Sequence, residues 1–447
     1  MYLIIFILAF VIAIIYYWIA YRYTNKQEHK YSLKKIFLVI LLFSMIDIYL
    51  FPFSKIHPST LTGFDKTSLS SGLQITVYIA IFLTLNWYFK NFLKNSVLLF
   101  RDPFLIILLV FTMLSTFWSE TPILTFRSSL VIIGFTTLGS HIAKQYSWQE
   151  LNYGLRWSQA WIVGIGLIVA VIFPSIGFEP KGLKGIMPFA NWLGTLTALG
   201  TVLWILQAIS YSYKRKLSLS MASLMFLVTF AAGSGTGILL LLNLVMFMFF
   251  LLMLRKFGFR WKLVLTPAFI IFAILGVVFI SQNFAFITES FGKDSTLTGR
   301  TDFWPQLIHK ISQHSLTGYG YYGFWQPWRG IENPAIEIGS ASYTPPRAHN
   351  GFIQIGLDLG LTGLLLFGSS LIRSVILLLR YIQVGRKPDS IAPLIILLFI
   401  VLSNVSQDFL FTPNYRWFYY ILIIVAIDIE IRNTVLHSSS ILKTKAH

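Results

Sequence analysis

The sequence predicts an all-α integral membrane protein, a polytopic bundle of about 12–13 transmembrane helices with one large outward-facing loop. Three observations predict this fold class. The 447 residues are 56% hydrophobic and only 12% charged, with a mean hydropathy of +0.71, and a soluble fold of that length could not cover so much apolar surface. Apolar runs long enough to span a bilayer recur along the chain. Basic residues concentrate in every second connecting loop.

Roughly thirteen apolar runs are candidate spans, and because a bundle of membrane helices is one unit, we expect a single domain over residues 1–447. The first run lacks the basic start and the small-residue cleavage site of a signal peptide, so we interpret it as a retained helix. The runs lie near 2–20, 36–53, 72–89, 103–119, 125–143, 157–176, 187–209, 218–233, 236–254, 262–281, 352–380, 390–405 and 414–431.

The basic loops give the predicted orientation, because cytoplasmic loops carry an excess of Lys and Arg. We therefore interpret the net charge of +18 as topogenic, and we expect no nucleic-acid partner. With thirteen spans the N-terminus lies outside and the C-terminus inside. The basic segments are 22–35, 90–101, 144–156, 214–216, 255–262, 386–387 and 443–445. The loops expected outside are 54–71, 119–122, 177–190, 233–237, 282–351 and 406–415.

The large outer loop, residues 282–351, is predicted to be structured. Apolar residues recur there at helical spacing, with Thr301 or Asp302 as the helix cap and Pro305 in the first turn. The pattern predicts an amphipathic helix that lies on the outer membrane interface. The apolar positions are Phe303, Trp304, Leu307, Ile308 and Ile311.

A segment rich in Gly and aromatic residues, GYGYYGFWQPW at 318–328, follows this helix. Such a composition is suited to tight turns and to stacking on sugars or anchoring at the interface, and Trp325 and Trp328 are the candidate sugar contacts. The G-x-G-x-x-G spacing at 318–323 has no βαβ unit around it, so we do not interpret it as a dinucleotide site.

His349 and Asn350 stand where the large outer loop meets the next span, and Gly360 and Gly363 follow on that helix. A neutral imidazole at a membrane surface can take a proton from a sugar hydroxyl. The alternative is an ordinary loop histidine or an interfacial cap. The glycine pair is suited to close helix packing.

Several cations are placed outside by the predicted topology: Arg300 and Arg347 in the large loop, Arg127 in the first turns of its span, and Lys181 and Lys184 in another loop. A planar guanidinium can bind a pyrophosphate and stabilise the charge of a leaving group. Contact with lipid headgroups or with nearby carboxylates is the alternative for each of them.

Asn350, Gln354 and Asp358 fall four residues apart, on one stripe of the predicted helix. This stripe either lines an acceptor groove or makes internal hydrogen bonds between helices. The chain has no cysteine, and no metal-binding His or carboxylate motif occurs in the outer loops, so we expect metal-independent chemistry without a cofactor.

Together these motifs resemble the O-antigen ligase and polysaccharide polymerase superfamily of bacteria. The family pattern is His-Asn, nine residues and Gly-x-x-Gly at the end of a large periplasmic loop, which residues 349–363 match. TGRTDFW at 298–304 and GYGYYGFW at 318–325 make the chain most similar to the exopolysaccharide polymerase branch. Weaker similarities are LSTFWS at 114–119 and GIMPFANWLG at 185–194.

The resemblance implies an inverting, metal-independent glycosyltransferase of the bacterial inner membrane, with its active site on the periplasmic side. The donor would be a glycan on a polyprenyl pyrophosphate, and the acceptor a second lipid-linked repeat unit or a lipid A core. By this resemblance His349 activates the acceptor hydroxyl, and Arg300 holds the pyrophosphate with help from Arg127 and Arg347. Proteins of polysaccharide export or chain-length control are candidate partners.

The chain departs from the family at residues 234–237. Ligases often carry an arginine after the serine at the outer end of a middle helix, whereas this chain has the sequence SGTG there. The difference favours a polymerase over a ligase that transfers glycan to lipid A core. A transporter of lipid-linked sugars is the alternative of another class, but it would place charges near the bilayer midplane.

Overall fold

The computed structural model describes residues 27–46, 101–256, 300–339, 345, 347–385 and 387–444. The candidate spans near 2–20, 72–89 and 262–281 lie outside these residues. Within them, nearly all regular structure is helical. The helices are α1 Gln27–Met45, α2 Pro103–Leu114, α3 Pro122–Gln145, α4 Trp148–Ile172, α5 Pro174–Gly177, α6 Ala190–Ser210, α7 Arg215–Ala231, α8 Gly235–Lys256, α9 Arg300–Gln313, α10 Gly351–Val384, α11 Ala392–Ser403 and α12 Tyr415–Thr444.

Five described helices, α3, α4, α6, α8 and α10, are long and apolar enough to cross a membrane. Two shorter apolar segments cover α2 and α11. A two-residue antiparallel pair, β1 Phe178–Glu179 with β2 Gly182–Leu183, is the only strand structure among the described residues. The predicted fold class, an all-α multi-pass membrane protein, is thus confirmed. The total of 12–13 spans stays a prediction.

Helix α4 begins well before the predicted span at 157. A capping box explains the early start: the Ser147 side chain accepts from the Glu150 backbone N–H, and the Glu150 carboxylate accepts from the Ser147 backbone N–H. Arg156 was predicted in a basic loop, but it lies inside α4 and is only 4% exposed, with its guanidinium 5.4 Å from the Trp204 ring. Local capping therefore set this boundary, and hydropathy alone gave the wrong one.

Helix α10 is broken at Gly360, whose φ of 63° and ψ of −162° are not helical. The loop after α9 fills the break with its own backbone. The Leu361 N–H donates to the Ser315 carbonyl at 2.7 Å, and the Tyr319 N–H donates to the Leu357 carbonyl at 2.8 Å. The Leu361 N–H and the Leu357 carbonyl are therefore paired despite the break, as a helix in an apolar medium requires. Gly360 was predicted to serve helix packing, whereas it opens the helix to a loop.

The described residues fall into two compact units. The first contains those within Met1–Lys55, Gln145–Val245 and Lys387–Ala392, and the second those within Ile56–Lys144, Met246–Arg386 and Pro393–His447. The single domain over 1–447 remains a prediction. The second unit contains His349 and all described residues of the large outer loop.

Candidate functional site

The large outer loop folds onto one hydrophobic cluster, which we call the loop core. Helix α9 contributes Phe303 and Leu307 to this cluster, whereas Ile308 of the predicted apolar face is 57% exposed. The position of this helix at a membrane interface stays a prediction. Helix α9 begins at Arg300, and therefore Thr301 and Asp302 lie inside the helix instead of capping it. The buried members of the loop core are Phe303, Leu307, Tyr319, Phe324, Trp325, Ala335, Ile338, Ala348 and Leu357.

The loop core fixes the chain on both sides of His349. Ala348 is fully buried, and its carbonyl accepts a hydrogen bond from Trp304 Nε1 at 3.0 Å. Asn350 caps α10, because its side-chain oxygen accepts from the Phe352 and Ile353 backbone N–H groups. Between these two anchors His349 has a φ of 52°, a left-handed conformation that is uncommon for a residue other than glycine.

The His349 ring lies 6.5 Å from the Phe303 ring, centroid to centroid, and the residue is partly exposed. Arg300, which begins the helix that carries Phe303, lies one helical turn earlier on α9. The side chain of Arg300 is outside the described part of the structure. Phe303 and Trp304, near the start of α9, are the residues that approach His349 and Ala348. A position of Arg300 beside His349 stays a prediction.

Arg347 lies two residues before His349 and is held by the segment between α11 and α12, residues 404–414. One guanidinium nitrogen lies 3.9 Å from Asp408 Oδ1, and Cζ lies 5.5 Å from the centre of the Phe409 ring. The side chains of Arg347 and Asp408 are 14% and 7% exposed. A mostly buried cation therefore sits beside the candidate base.

The 404–414 loop also holds the start of α10. The Gly351 N–H donates to the Asn404 carbonyl at 2.8 Å, and Asn350 Nδ2 donates to the Val405 carbonyl at 3.3 Å. A Cβ atom at Gly351 would lie 2.6 Å from Leu410 Cβ, which explains glycine at this position. Sequence reasoning placed 406–415 outside but gave it no role; its run of polar residues between two apolar helices was the available signal.

The aromatic segment after α9 packs on the end of α2. The Trp118 indole N–H donates to the Thr317 carbonyl at 3.2 Å, and the Tyr321 backbone N–H donates to Ser115 Oγ at 3.0 Å. The Tyr321 hydroxyl donates to the Phe411 carbonyl at 3.0 Å, and burial raises its pKa well above the usual value, so it stays a neutral donor. The LSTFWS segment, which resembles the family weakly, thus contacts the GYGYYGFW segment, which resembles it strongly.

Two residues of the predicted polar stripe are hydrogen-bonded to each other. Gln354 Nε2 donates to Asp358 Oδ1 at 3.0 Å, and the Trp325 indole N–H donates to Gln354 Oε1 at 2.9 Å. Trp325 is 8% exposed, whereas Trp328 is 51% exposed. The stripe therefore makes hydrogen bonds within α10 and to the outer loop, whereas the alternative from the sequence was hydrogen bonding between helices. A sugar-binding role for Asn350, Gln354 and the two tryptophans stays a prediction.

Arg127 and Lys184 are the other predicted cations with a described position. Arg127 is exposed in the second turn of α3. Lys184 lies in the first unit, directly after β2, where its backbone N–H donates to the Gly177 carbonyl at 2.9 Å. The Glu120 carboxylate forms an ion pair with Arg329 at 2.5 Å. The structure thus brings together Arg347, His349 and the residues on the first turns of α10.

No group of three or more His, Asp or Glu side chains within the described ranges is arranged to hold a metal ion. The expectation of metal-independent chemistry still rests on the sequence motifs. The same holds for the expectation that no cofactor is needed.

Two comparisons with known proteins agree with these motifs. Residues 220–368 match the family described as O-Antigen ligase, and this range contains Arg300, Arg347 and His349. Exopolysaccharide production protein ExoQ of Rhizobium meliloti (strain 1021) is 37% identical over 106 residues, which are 23% of this chain and 24% of ExoQ. The chain thus spans about a quarter of the length of that relative. The resemblance to the O-antigen ligase and polysaccharide polymerase superfamily is thus confirmed, and the family match covers residues 220–368.

Proposed function

We propose that this protein is a membrane glycosyltransferase that polymerises oligosaccharide repeat units linked to polyprenyl pyrophosphate. The observation that carries the proposal is the arrangement at the start of α10. A histidine with a left-handed backbone (φ 52°) lies between a mostly buried arginine, Arg347, and the helix cap Asn350. The name of the similar protein ExoQ, an exopolysaccharide production protein, supports the same class of product.

In the proposed reaction the acceptor hydroxyl attacks the anomeric carbon of the donor glycan. His349 takes the hydroxyl proton as general base, and the bond from the anomeric carbon to the pyrophosphate oxygen breaks with inversion. The electron pair of that bond remains on the departing polyprenyl pyrophosphate. A guanidinium next to the reacting centre stabilises this charge, and Arg347, two residues before His349, is our candidate for this role.

The other predicted residues have supporting roles in this proposal. Arg300 contributes from the start of α9, and Arg127 adds positive charge for the pyrophosphate. The assignment of Lys184 to the same anion stays a prediction. The half-exposed Trp328 offers a face for sugar stacking. The reaction takes place on the periplasmic side of the bacterial inner membrane, and proteins of polysaccharide export or chain-length control are candidate partners.

A ligase that transfers finished glycan to lipid A core is the second candidate, because the matched family is described as O-Antigen ligase. The two candidates leave different products when the protein is absent. Without a polymerase, single repeat units accumulate on the lipid carrier. Without a ligase, long polymer accumulates on the carrier and lipid A core remains unmodified.

Reconstitution tests the proposed function directly. The purified full-length chain is incubated in detergent with a synthetic polyprenyl-pyrophosphate repeat unit, and the products are separated by length. We expect longer lipid-linked glycans and one released carrier for each unit added, also in the presence of a metal chelator. If the protein binds the donor but forms no glycosidic bond with any acceptor, the proposed function is wrong. Turnover in detergent, without a membrane gradient, distinguishes an enzyme from a transporter.

A further inference from the structure

Arg416, in the first turn of α12, is the most deeply buried arginine of the described residues, with no exposed surface. Its Nη2 donates to Gln407 Oε1, and its Cζ lies 4.6 Å from the centre of the Tyr415 ring. Its Nε and Nη1 atoms have no hydrogen-bond partner. A permanently charged group is therefore buried with most of its donor capacity unused.

Such burial is costly, because a guanidinium loses its hydrogen bonds to water. Only carboxylates or other acceptors in the protein can replace them. Arg416 forms no ion pair with a described carboxylate. The aromatic rings around it offer cation–π contacts, but these contacts leave the N–H donors of Nε and Nη1 unpaired. Unpaired donors on a buried cation are suited to an anion with several oxygens.

Arg416 and Arg347 flank the same ring. The Cζ atoms of the two residues lie 5.0 Å and 5.5 Å from the centre of the Phe409 ring. Asp408, beside that ring, is 3.9 Å from Arg347 and is its ion-pair partner. Both guanidinium groups thus approach one ring, and no ion pair joins Arg416 to Asp408 among the described residues. Asp358, the other buried carboxylate of this region, interacts electrostatically with Asp408 and is bonded to Gln354.

We propose that Arg416 binds the diphosphate of the lipid-linked donor, as a second cation beside Arg347. The inference rests on the proposed function, and it extends the site to a residue far from the large outer loop in sequence. A diphosphate has anionic oxygens on two phosphorus atoms, so two guanidinium groups near one ring can each donate to a different phosphate. Because Arg416 is fully buried, the 404–414 loop must move for the diphosphate to reach it.

The test compares Arg416→Met with the wild-type chain, both full length and in detergent. The probes are geranylgeranyl diphosphate and, as a control ligand, geranylgeranyl monophosphate; affinity and ligand-induced rise in Tm are measured. Methionine fills a similar volume without a buried charge, so the ligand-free variant should keep or raise its Tm. We expect its affinity for the diphosphate to fall at least tenfold, while the affinity for the monophosphate changes less.

Arg156→Met is the matched control, because Arg156 is also buried, stacks on Trp204 and has an unpaired Nε. It should bind the diphosphate like the wild type. Wild-type affinity in Arg416→Met would overturn the inference and leave the proposed function standing. A wild-type chain that binds no diphosphate lipid at all would overturn both.

Hydrogen–deuterium exchange on the wild type keeps the test decisive if Arg416→Met does not fold. Peptides that cover the 404–414 loop should exchange more slowly with geranylgeranyl diphosphate than with the monophosphate at equal occupancy. Identical exchange in the two complexes would contradict a diphosphate contact at this loop.

Discussion

The backbone of His349 has a conformation that the surrounding structure must maintain. A φ of 52° costs a residue with a Cβ atom about 1 kcal/mol. The hydrogen bond from Trp304 to the Ala348 carbonyl and the cap made by Asn350 hold the chain on either side. Strain at a residue type that can move protons is typical of functional positions.

Replacement of this histidine should stop the chemistry without unfolding the protein. We expect His349→Ala to lower the rate of polymer formation at least about 100-fold, because general-base catalysis contributes factors of this size. His309→Ala on the exposed face of α9 is the control and should retain full activity. Polymer made at the normal rate by His349→Ala, measured as glycan length against time, would remove this residue from the catalytic role.

Variants of the ion pair between Arg347 and Asp408 can distinguish a role of Arg347 in catalysis from a role in stability. Arg347→Ala leaves the mostly buried Asp408 carboxylate without its partner, so we expect a loss of about 2 kcal/mol in unfolding free energy. The double variant Arg347→Ala, Asp408→Asn should recover part of that stability, because no unpaired charge remains. Its activity should stay as low as that of the single variant. Recovery of activity along with Tm would mean that Arg347 acts only on the fold.

The predictability of these residues differs. His349, Asn350 and Arg347 could be selected from the sequence because the motif is local and lies beside a predicted span. Arg416 and Asp408 could not, because a short polar loop between two apolar runs has the same pattern as a simple turn. Their burial arises only when residues 404–414 fold against the start of α10.

At the scale of elements, α10 is two helical segments that share one backbone break. The loop after α9 enters the break so closely that a Cβ at Gly360 would lie 2.5 Å from the Leu316 carbonyl carbon. A Cβ at Gly318 would lie 2.6 Å from the backbone of Asp358. Two glycines on separate segments thus permit one backbone-to-backbone contact.

Gly360→Ala should therefore be strongly destabilising. The added methyl group meets backbone atoms and the φ of 63° disfavours it, so we expect a loss of about 2–4 kcal/mol in unfolding free energy and little polymer. Gly368→Ala is the matched control on the same helix, since nothing lies within 4 Å of its added Cβ; alanine there should be neutral or stabilising. Equal Tm values for the two variants would contradict the contact.

The elements were predictable where the pattern was periodic. The spacing of Phe303 and Leu307 predicts α9 correctly, but the predicted cap at Thr301 or Asp302 was wrong, because the helix already begins at Arg300. The glycine pair after Asn350 was predicted as a packing surface. The role of Gly360 depends on its φ angle. That angle is set by contact with a loop more than forty residues earlier in the sequence, and this contact exists only in the folded chain.

At the scale of the whole molecule, orientation follows from the basic loops. The predicted outer side includes 282–351, and the predicted inner side includes 214–216. Ile331 is 90% exposed and Tyr213 is 76% exposed, so each is a good reporter for its loop. The natural chain has no cysteine, and single cysteines can therefore be placed without background.

Ile331→Cys in intact cells should react with a membrane-impermeant maleimide, because its loop faces outward. Tyr213→Cys should react only after the membrane is opened. Labelling is measured on the purified chain, with the cysteine-free protein as the blank. The reverse pattern would place the candidate site on the cytoplasmic side and end the proposal of a periplasmic reaction.

The fold class was predictable from composition and run length, because a helix that crosses lipid must be apolar and must satisfy its own backbone. The arrangement of the helices was not, since lipid-facing and protein-facing apolar residues look alike in sequence. The buried Tyr415 and the exposed Leu365 show how little hydropathy says about which face is covered.

The interrupted α10 also bears on how the chain is made. Its Leu361 amide donates to the Ser315 carbonyl, which belongs to the loop that precedes this helix in the chain. The helix that carries Gly360 therefore takes its final form only when that loop has packed into the break. Completion of α10 and folding of the loop are thus one coupled step in the making of the protein.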